Sequence, residues 1–316
     1  MRIGLLGTGF GLAHARIYHS RADVDGVVVF GRTLSKLEQF ATEFGFVTTT
    51  DIDRIYDDAA IDLVDVCLPT ALHADHVIRA LERGKHVLCE LPLATTMVDA
   101  RRVVDAHAAS DRGVFVDMAG RFDPGVEFLS SAIAAGTYGT LKTLHIGIRT
   151  ALLWEGYELG LDSIALDVMH GSLDTVATAL GLPNTTTAVG VASERGSAAE
   201  VLLGYPNTIV HCSASALMPT HYGMRGGWHA AFTDAVIEST WTAGWDGRPT
   251  ATLIEHTDSG ARDIDLPDVD AYSAVIDHVF DCLAGRTHSR LAPASVLDSL
   301  QVTLDIHHAL TSPTNG

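Results

Sequence analysis

Residues 62–90 read DLVDVCLPTALHADHVIRALERGKHVLCE. The stretch divides into an apolar run, DLVDVCLP (62–69), a segment with helical spacing, HADHVIRALERG (73–84), and a second apolar run, KHVLCE (85–90). A short buried strand, a helix closed by Gly84 and another buried strand make one parallel crossover unit. The alternation extends both ways. Upstream, RIGLLG (2–7) predicts a strand, a helix runs to about Arg21, GVVVFG (26–31) predicts a second strand, and LSKLEQFATEFG has helical spacing closed by Gly45. Downstream, a helix starts at Thr95 or Thr96 and VFVDMA (114–119) predicts a fifth strand. This spacing predicts an α/β fold, a Rossmann-type doubly wound parallel sheet with helices on both faces.

After about Arg121 the rhythm changes. A helix (124–136), a strand (141–149) and a helix (166–181) precede β-prone stretches such as TTTAVGVASE, AAEVLLGYP, NTIVHCSASAL and TDAVIESTWTAG, joined by Gly, Pro and Asn turns. These predict a C-terminal α+β domain with an open, mostly antiparallel sheet. The expected division is residues 1–121 for the first domain and 122–292 for the second, with closing helices near 268–285 and 293–311.

Composition narrows the function. A chain of 316 residues, 47% hydrophobic, is long enough for two cores. A net charge of −18 repels a phosphate backbone over most of the surface and argues against nucleic acid as a partner. The start, MRIGLLGTGFG, is broken by glycines too early for a signal peptide or membrane span, and no later apolar run reaches 18 residues, so a soluble cytoplasmic protein is expected. Cys67, Cys89, Cys212 and Cys282 lack paired metal spacing and read as small core hydrophobes in a reducing compartment. Sixteen histidines offer no convincing ligand set, and no metal is expected.

GTGFG (7–11) lies between the first strand and the first helix. Glycines there let the backbone turn tightly and bring free N–H groups at the helix start to a pyrophosphate. Gly7, Thr8, Gly9, Phe10 and Gly11 are therefore the candidate cradle. The third glycine of a GxGxxG pattern would fall at Leu12, so Gly11 comes one residue early. The second strand ends VVVFGRTLSK, with no acid to meet a free ribose 2′-hydroxyl. Gly31 followed by Arg32, with Thr33 and Lys36, suits a 2′-phosphate, so NADP(H) is favoured over NAD(H). The structural alternative makes Arg32 and Lys36 solvated helix-start charges.

Together GTGFGLAHA, VFGRTLSKLEQFATEFG and DVCLPTALHADHVIRALERGKHVLCELPLATT resemble the glucose-fructose oxidoreductase/inositol dehydrogenase family, Gfo/Idh/MocA. The likeness is dense over residues 1–125 and weaker beyond, where APASVLDSLQVTLDIHHAL resembles the family's last helix, implying that 293–311 returns to the nucleotide domain. The resemblance implies a motif Glu-Lys-Pro at a strand end, often with a cis proline. It places Glu90 near the nicotinamide ribose and lets Pro92 shape the turn. The lysine that would assist proton transfer is Leu91 here, which can neither donate a proton nor polarise a carbonyl. The turn Leu68, Pro69, Thr70 with His73, and Arg121 after the last strand, match family positions expected to contact the cofactor, although His73 also reads as a helix-start anchor.

The resemblance also implies Asp-x-x-x-His-x-x-Asp on a helix lining the active site. In DVMHGSLD (167–174) Asp167 and Asp174 are correctly spaced, but Gly171 takes the histidine's place and His170 comes one residue early, a rotation of about 100° on a regular helix. An irregular helix start would restore His170; otherwise the histidine is missing. Asp167 and His170 are the candidate acid–base residues, with His73, Tyr157, His221 and Tyr222 as further donors. Asp174, Trp154 and Tyr157 are candidate substrate contacts, and MPTHYGMRGGWHAAF reads as either a substrate loop or a dimer connection.

The expected function is an NADP(H)-dependent oxidoreductase moving a hydride to or from a small polar substrate: a ketone or alcohol of a sugar, cyclitol or specialised metabolite, or an imine. Two alternatives stay open: a nucleotide-binding sensor or non-catalytic partner subunit with a degenerate site, and a non-redox isomerase or lyase with retained cofactor. The resemblance also implies a homodimer or homotetramer built through the C-terminal sheet, mainly residues 185–265.

Overall fold

The computed structural model describes residues 1–151, 159–243 and 250–312. The chain folds as two compact units, Met1–Ala119 with Ala271–Leu297, and Gly120–Asp270 with Asp298–Gly316.

The first unit runs β1 (Arg2–Leu6), α1 (Gly11–Ser20), β2 (Gly26–Phe30), α2 (Leu34–Phe44), β3 (Val47–Thr49), α3 (Asp53–Tyr56), β4 (Leu63–Val66), α4 (His73–Glu82), β5 (His86–Glu90), α5 (Met97–Ala108) and β6 (Val114–Asp117). The six strands form a parallel sheet of order β3-β2-β1-β4-β5-β6. Strand order reverses between β1 and β4, the point where open α/β sheets bind ligands beyond their carboxyl ends. Ile3, Leu5, Leu6, Val29, Leu63, Val64, Val87 and Leu88 are buried, as strands covered on both faces require. Gly45 closes α2 in the left-handed conformation, and Thr96 caps α5 by accepting the Asp99 N–H.

The second unit runs α6 (Pro124–Ala135), β7 (Leu141–Ala151), α7 (His170–Leu180), β8 (Thr185–Ser193), β9 (Gly196–Gly204), β10 (Ile209–Met218), β11 (Met224–Phe232), β12 (Val236–Thr242), β13 (Thr250–Thr257) and β14 (Gly260–Asp263). Helices α8 (Ala271–Leu283) and α9 (Leu297–Thr311) follow. The eight-stranded sheet has order β14-β13-β12-β11-β7-β10-β9-β8, antiparallel except for the β7–β10 pair. Both the parallel and the mostly antiparallel sheet are as the sequence predicts.

The closing helices differ from expectation. Helix α8 belongs to the first unit, not to a second domain running to residue 292. Most of α9 belongs to the second unit, because its Val302 and Ile306 lie in one apolar cluster with Leu173 and Val176 of α7 and with Leu144 and Val210 of the sheet. An apolar helical period shows that a face is buried without showing against what. Ile306 has no exposed surface, so Ile306→Ala should destabilise the second unit by about 2–5 kcal/mol, read by chemical denaturation.

Candidate active site

The glycine turn follows β1 at the switch point. Gly7 has φ +113°, and a Cβ there would lie 2.2 Å from the Cys67 carbonyl oxygen. Only glycine lets this turn cross the end of β4. Its N–H donates to the Phe30 carbonyl at the end of β2 (3.0 Å). Gly9 and Phe10 are exposed, and nothing lies within 4 Å of a Cβ built on Gly9, so the backbone is open to an approaching ligand. Gly11 is the first residue of α1, and a Cβ on it would sit 3.3 Å from the Leu5 side chain. Gly11 therefore does the close helix–strand packing although it comes one position early.

Gly31, just beyond β2, is buried with Thr8 and Leu37 against it; a Cβ would lie 2.7 Å from Thr8 Cγ2. Arg32, Thr33 and Lys36 are exposed, and neither Arg32 nor Lys36 enters an ion pair among the described residues. The cradle thus has a close-packed floor and basic side chains at its β2 end.

Beyond β4, Leu68 and Thr70 are half-buried and Pro69 is exposed. His73 is 1% exposed, with Nδ1 2.8 Å from the Pro92 carbonyl oxygen and Nε2 2.6 Å from that of Leu68. Burial lowers its pKa, a tendency partly offset by those carbonyls. His73 ties the turn after β4 to the turn after β5, which is the helix-start anchor rather than a cofactor contact. The Leu91–Pro92 peptide is cis, and the Leu91 N–H donates to Glu90 Oε2 (3.2 Å).

Four ionisable side chains converge beside these turns. His14, on α1, is fully buried. Its Nδ1 donates to Asp65 Oδ2 (2.8 Å), while Nε2 lies 3.2 Å from Glu90 Oε1 and 3.1 Å from Asp117 Oδ2. Neither contact meets hydrogen-bond geometry, and Nε2, Glu90 Oε1 and both Asp117 oxygens have no hydrogen-bond partner. Tyr18 and Cys67 also donate to Asp65, at 2.7 and 3.4 Å. Burial pushes the His14 imidazole down, but the carboxylates of Asp65 and Asp117 outweigh it and hold the pKa well above 6.5. Burial raises the Glu90 carboxyl, and the charges of Asp117 and Asp65 add to the rise, against the lowering effect of His14.

The sequence reading missed His14, Asp65 and Asp117. A usable signal existed, since Asp65 and Asp117 interrupt apolar runs whose strands are buried on both faces, where an acid needs a partner. His14, Cys67 and Glu90 offer donor atoms within 4.8 Å of one another. They do not converge on one point, because Cys67 lies against Nδ1, which Asp65 occupies, and Glu90 lies against Nε2. Burial, then Asp65, also raise the Cys67 pKa and keep it a thiol rather than the thiolate that binds metal.

In the second unit a π-turn, Ala165–Met169, runs into α7. Such a turn absorbs one extra residue, which accounts for the shifted histidine. Asp167 is half-buried within this otherwise buried turn. His170 is 1% exposed, with Nδ1 2.8 Å from Thr303 Oγ1, and burial lowers its pKa to about 4. It is neutral at neutral pH and shut from solvent, so the expectation that it donates a proton is revised. Arg121 and Asp174, expected at cofactor and substrate, instead make a two-pronged buried pair: Nε to Oδ2 at 2.8 Å and another guanidinium nitrogen to Oδ1 at 2.7 Å. Ser299 of α9 also donates to Asp174. His221 and Tyr222 lie on the short turn Thr220–Tyr222, with the Arg225 guanidinium over the Tyr222 ring. Trp154 and Tyr157 lie outside the described residues. Arg121→Ala would leave Asp174 buried without its main partner and should lower stability by about 3–5 kcal/mol in urea melts.

Residues 1–118 match the model of the Gfo/Idh/MocA family, described as an oxidoreductase family with an NAD-binding Rossmann fold. The chain is 31% identical over 202 residues to inositol 2-dehydrogenase 4 of Saccharopolyspora erythraea, covering 63% of this chain and 59% of that protein. It spans about half the length of the curated relatives it matches. Among solved structures, an oxidoreductase from Agrobacterium radiobacter in complex with NAD+, L-tartaric acid and magnesium has a TM-score of 0.81 at 16% identity, covering 98% of this chain and 96% of that one. UDP-N-acetylglucosamine 3-dehydrogenase from Acidithiobacillus ferrooxidans has a TM-score of 0.81 at 20% identity, covering 98% and 97%. At those identities the likeness shows the fold alone. Glycine turn, parallel sheet and family match agree over the first unit: residues 1–118 match the Rossmann domain of the Gfo/Idh/MocA family.

Proposed function

We propose that this protein is an NADP(H)-dependent oxidoreductase that moves a hydride to or from a small polar substrate, a ketone or alcohol of a sugar or cyclitol. The observation that carries the cofactor choice is the end of β2, where Gly31 packs against Thr8 and Arg32 follows, exposed and with no acid beside it in sequence. A guanidinium there suits a 2′-phosphate, which a carboxylate would repel. The glycine turn fits a dinucleotide, since a side chain at Gly7 is excluded and the backbone at Gly9 is open. When bound, the nicotinamide supplies the hydride. The chain's part is to hold the pyrophosphate on Gly7–Gly11, to grip the 2′-phosphate with Arg32, and to manage the proton from the turn after β5. Relatives named as inositol 2-dehydrogenases and a D-glucoside 3-dehydrogenase support the substrate class.

A second copy of the chain is the proposed partner. The outer face of β8, β9 and β10 carries Val189, Val191, Leu202 and Ile209, each more than half exposed, and supports association through the C-terminal sheet.

Titration calorimetry tests the cofactor reading. NADPH should bind more tightly than NADH, and Arg32→Ala should weaken NADPH roughly 10- to 100-fold, the equivalent of about 1.5–3 kcal/mol for a hydrogen bond to a charged group, while leaving NADH unchanged. Equal affinities that survive the substitution would reject the preference. Nucleotide binding without NADPH oxidation across a panel of sugar and cyclitol ketones would favour a sensor. Light scattering should report a dimer that Leu202→Glu with Ile209→Glu dissociates.

A further inference from the structure

Position 91 holds a leucine beside a buried nest of charge, and the nest itself can do acid–base work. His14 of α1 packs on one face of the sheet, where Asp65, Glu90 and Asp117 come from β4, β5 and β6. Glu90 and Asp117 are register partners on adjacent parallel strands, so their side chains rise from the same face. Both reach within 3.2 Å of one nitrogen, His14 Nε2.

Three ionised carboxylates around one imidazolium would leave two uncompensated negative charges in a site where His14, Asp65 and Asp117 are at most 1% exposed. Charge of that kind is not kept in a protein interior; protons are taken up instead. Asp65 already accepts from His14, Tyr18 and Cys67. Glu90 Oε1 and both Asp117 oxygens are buried without a hydrogen-bond partner. The missing proton therefore belongs to this pair, as it does wherever two carboxyl groups share one site.

We infer that Glu90 and Asp117 hold one proton between them beside the His14 imidazolium, and that Glu90 gives and takes that proton in the hydride transfer, the role position 91 cannot fill. The catalytic half of this statement rests on the dehydrogenase reading above. Glu90 is the member that can reach a substrate: its side chain is 12% exposed, against 0% for His14 and 1% for Asp117. In reduction, the hydride's electron pair forms the new C–H bond and the carbonyl π pair moves to oxygen. That oxygen takes the proton as the Glu90 O–H bond breaks. Glu90, left as a carboxylate, recovers a proton from solvent. Oxidation reverses each step. Asp117, His14 and Asp65 are positioning residues, with Asp117 making the carboxylate form of Glu90 costly and His14 limiting that effect.

The groups facing Glu90 electrostatically are His14 from α1, Asp65 from β4, Cys67 just beyond β4, Cys89 from β5, Asp117 from β6 and His73 from α4; Tyr18 acts through Asp65. The directions follow from signs alone. The Asp117 charge raises the Glu90 pKa and His14 lowers it.

Proton sharing is read first without cofactor or substrate. Infrared difference spectra of the full chain at neutral pH, wild type minus Glu90→Gln and wild type minus Asp117→Asn, should contain a protonated-carboxyl stretch that each variant removes or displaces. No such stretch, or one untouched by both variants, overturns the inference. One divalent metal ion per chain, released by a chelator, also overturns it. The pH dependence of kcat/KM for NADPH-driven reduction tests the catalytic half. The wild-type rate should fall as pH rises through the titration of Glu90. Asp117→Asn should move that fall to lower pH, His14→Gln should move it to higher pH, and Glu90→Gln should abolish it and lower kcat roughly 10²- to 10⁴-fold. Shifts in one common direction, or none, reject the assignment. If His14→Gln does not fold by circular dichroism, the two isosteric variants decide. Turnover with no substrate at all would sink the dehydrogenase reading instead, and the infrared result would then decide proton sharing by itself.

Discussion

The first unit depends on one close approach. The backbone at Gly7 lies so near the end of β4 that a single methyl group would overlap the Cys67 carbonyl. Backbone bonds hold the crossing from both sides, Gly7 N–H to Phe30 and Cys67 N–H to Leu6. With the turn fixed there, α1 starts directly over Leu5 and Cys67 and presents His14 and Tyr18 to Asp65. One missing side chain thus shapes both an open glycine turn and a buried cluster of ionisable groups. A larger residue at 7 would disturb the two together, which makes them parts of one local design.

The two units contain contrasting arrangements of buried charge. Arg121 and Asp174 form a closed pair, with fork geometry on both sides and Ser299 on the remaining lone pairs. Such a pair is inert: its charges are matched and its donors satisfied. Around His14 the charges are unmatched and several polar atoms are unsatisfied. Buried polar atoms without partners are uncommon in folded chains and concentrate where a protein trades stability for chemistry. The contrast is why the acid–base role is assigned to the second arrangement and withheld from the first, although the family pattern draws attention to Asp174.

Much of the fold was legible in the sequence because its signals are local. DLVDVCLP and KHVLCE are strands by their apolar runs, Gly45 and Gly84 mark helix ends, and all of these hold. The partition of the closing helices was not legible, since the period of LDSLQVTLDIHHAL shows an apolar face and not its neighbour. The site divides in the same way. Gly7 to Gly11 could be read from spacing, because the turn is one continuous segment. The His14 cluster draws single residues from a helix and three strands spread over about a hundred positions, and only tertiary structure brings them together. The early histidine of DVMHGSLD became intelligible only with the π-turn, a backbone irregularity that side-chain identity does not announce.

Neither unit is a contiguous length of chain: the path leaves the first at about residue 120, returns at 271 and departs again at 298. The helix Ala271–Leu283 completes the first unit long after its sheet has been synthesised, and α9 joins the other core later still. Cutting or recombining the gene at a single internal point would therefore strip an element from at least one core. The pair must be inherited, and emerge from the ribosome, as an interlaced whole rather than as two beads on a string.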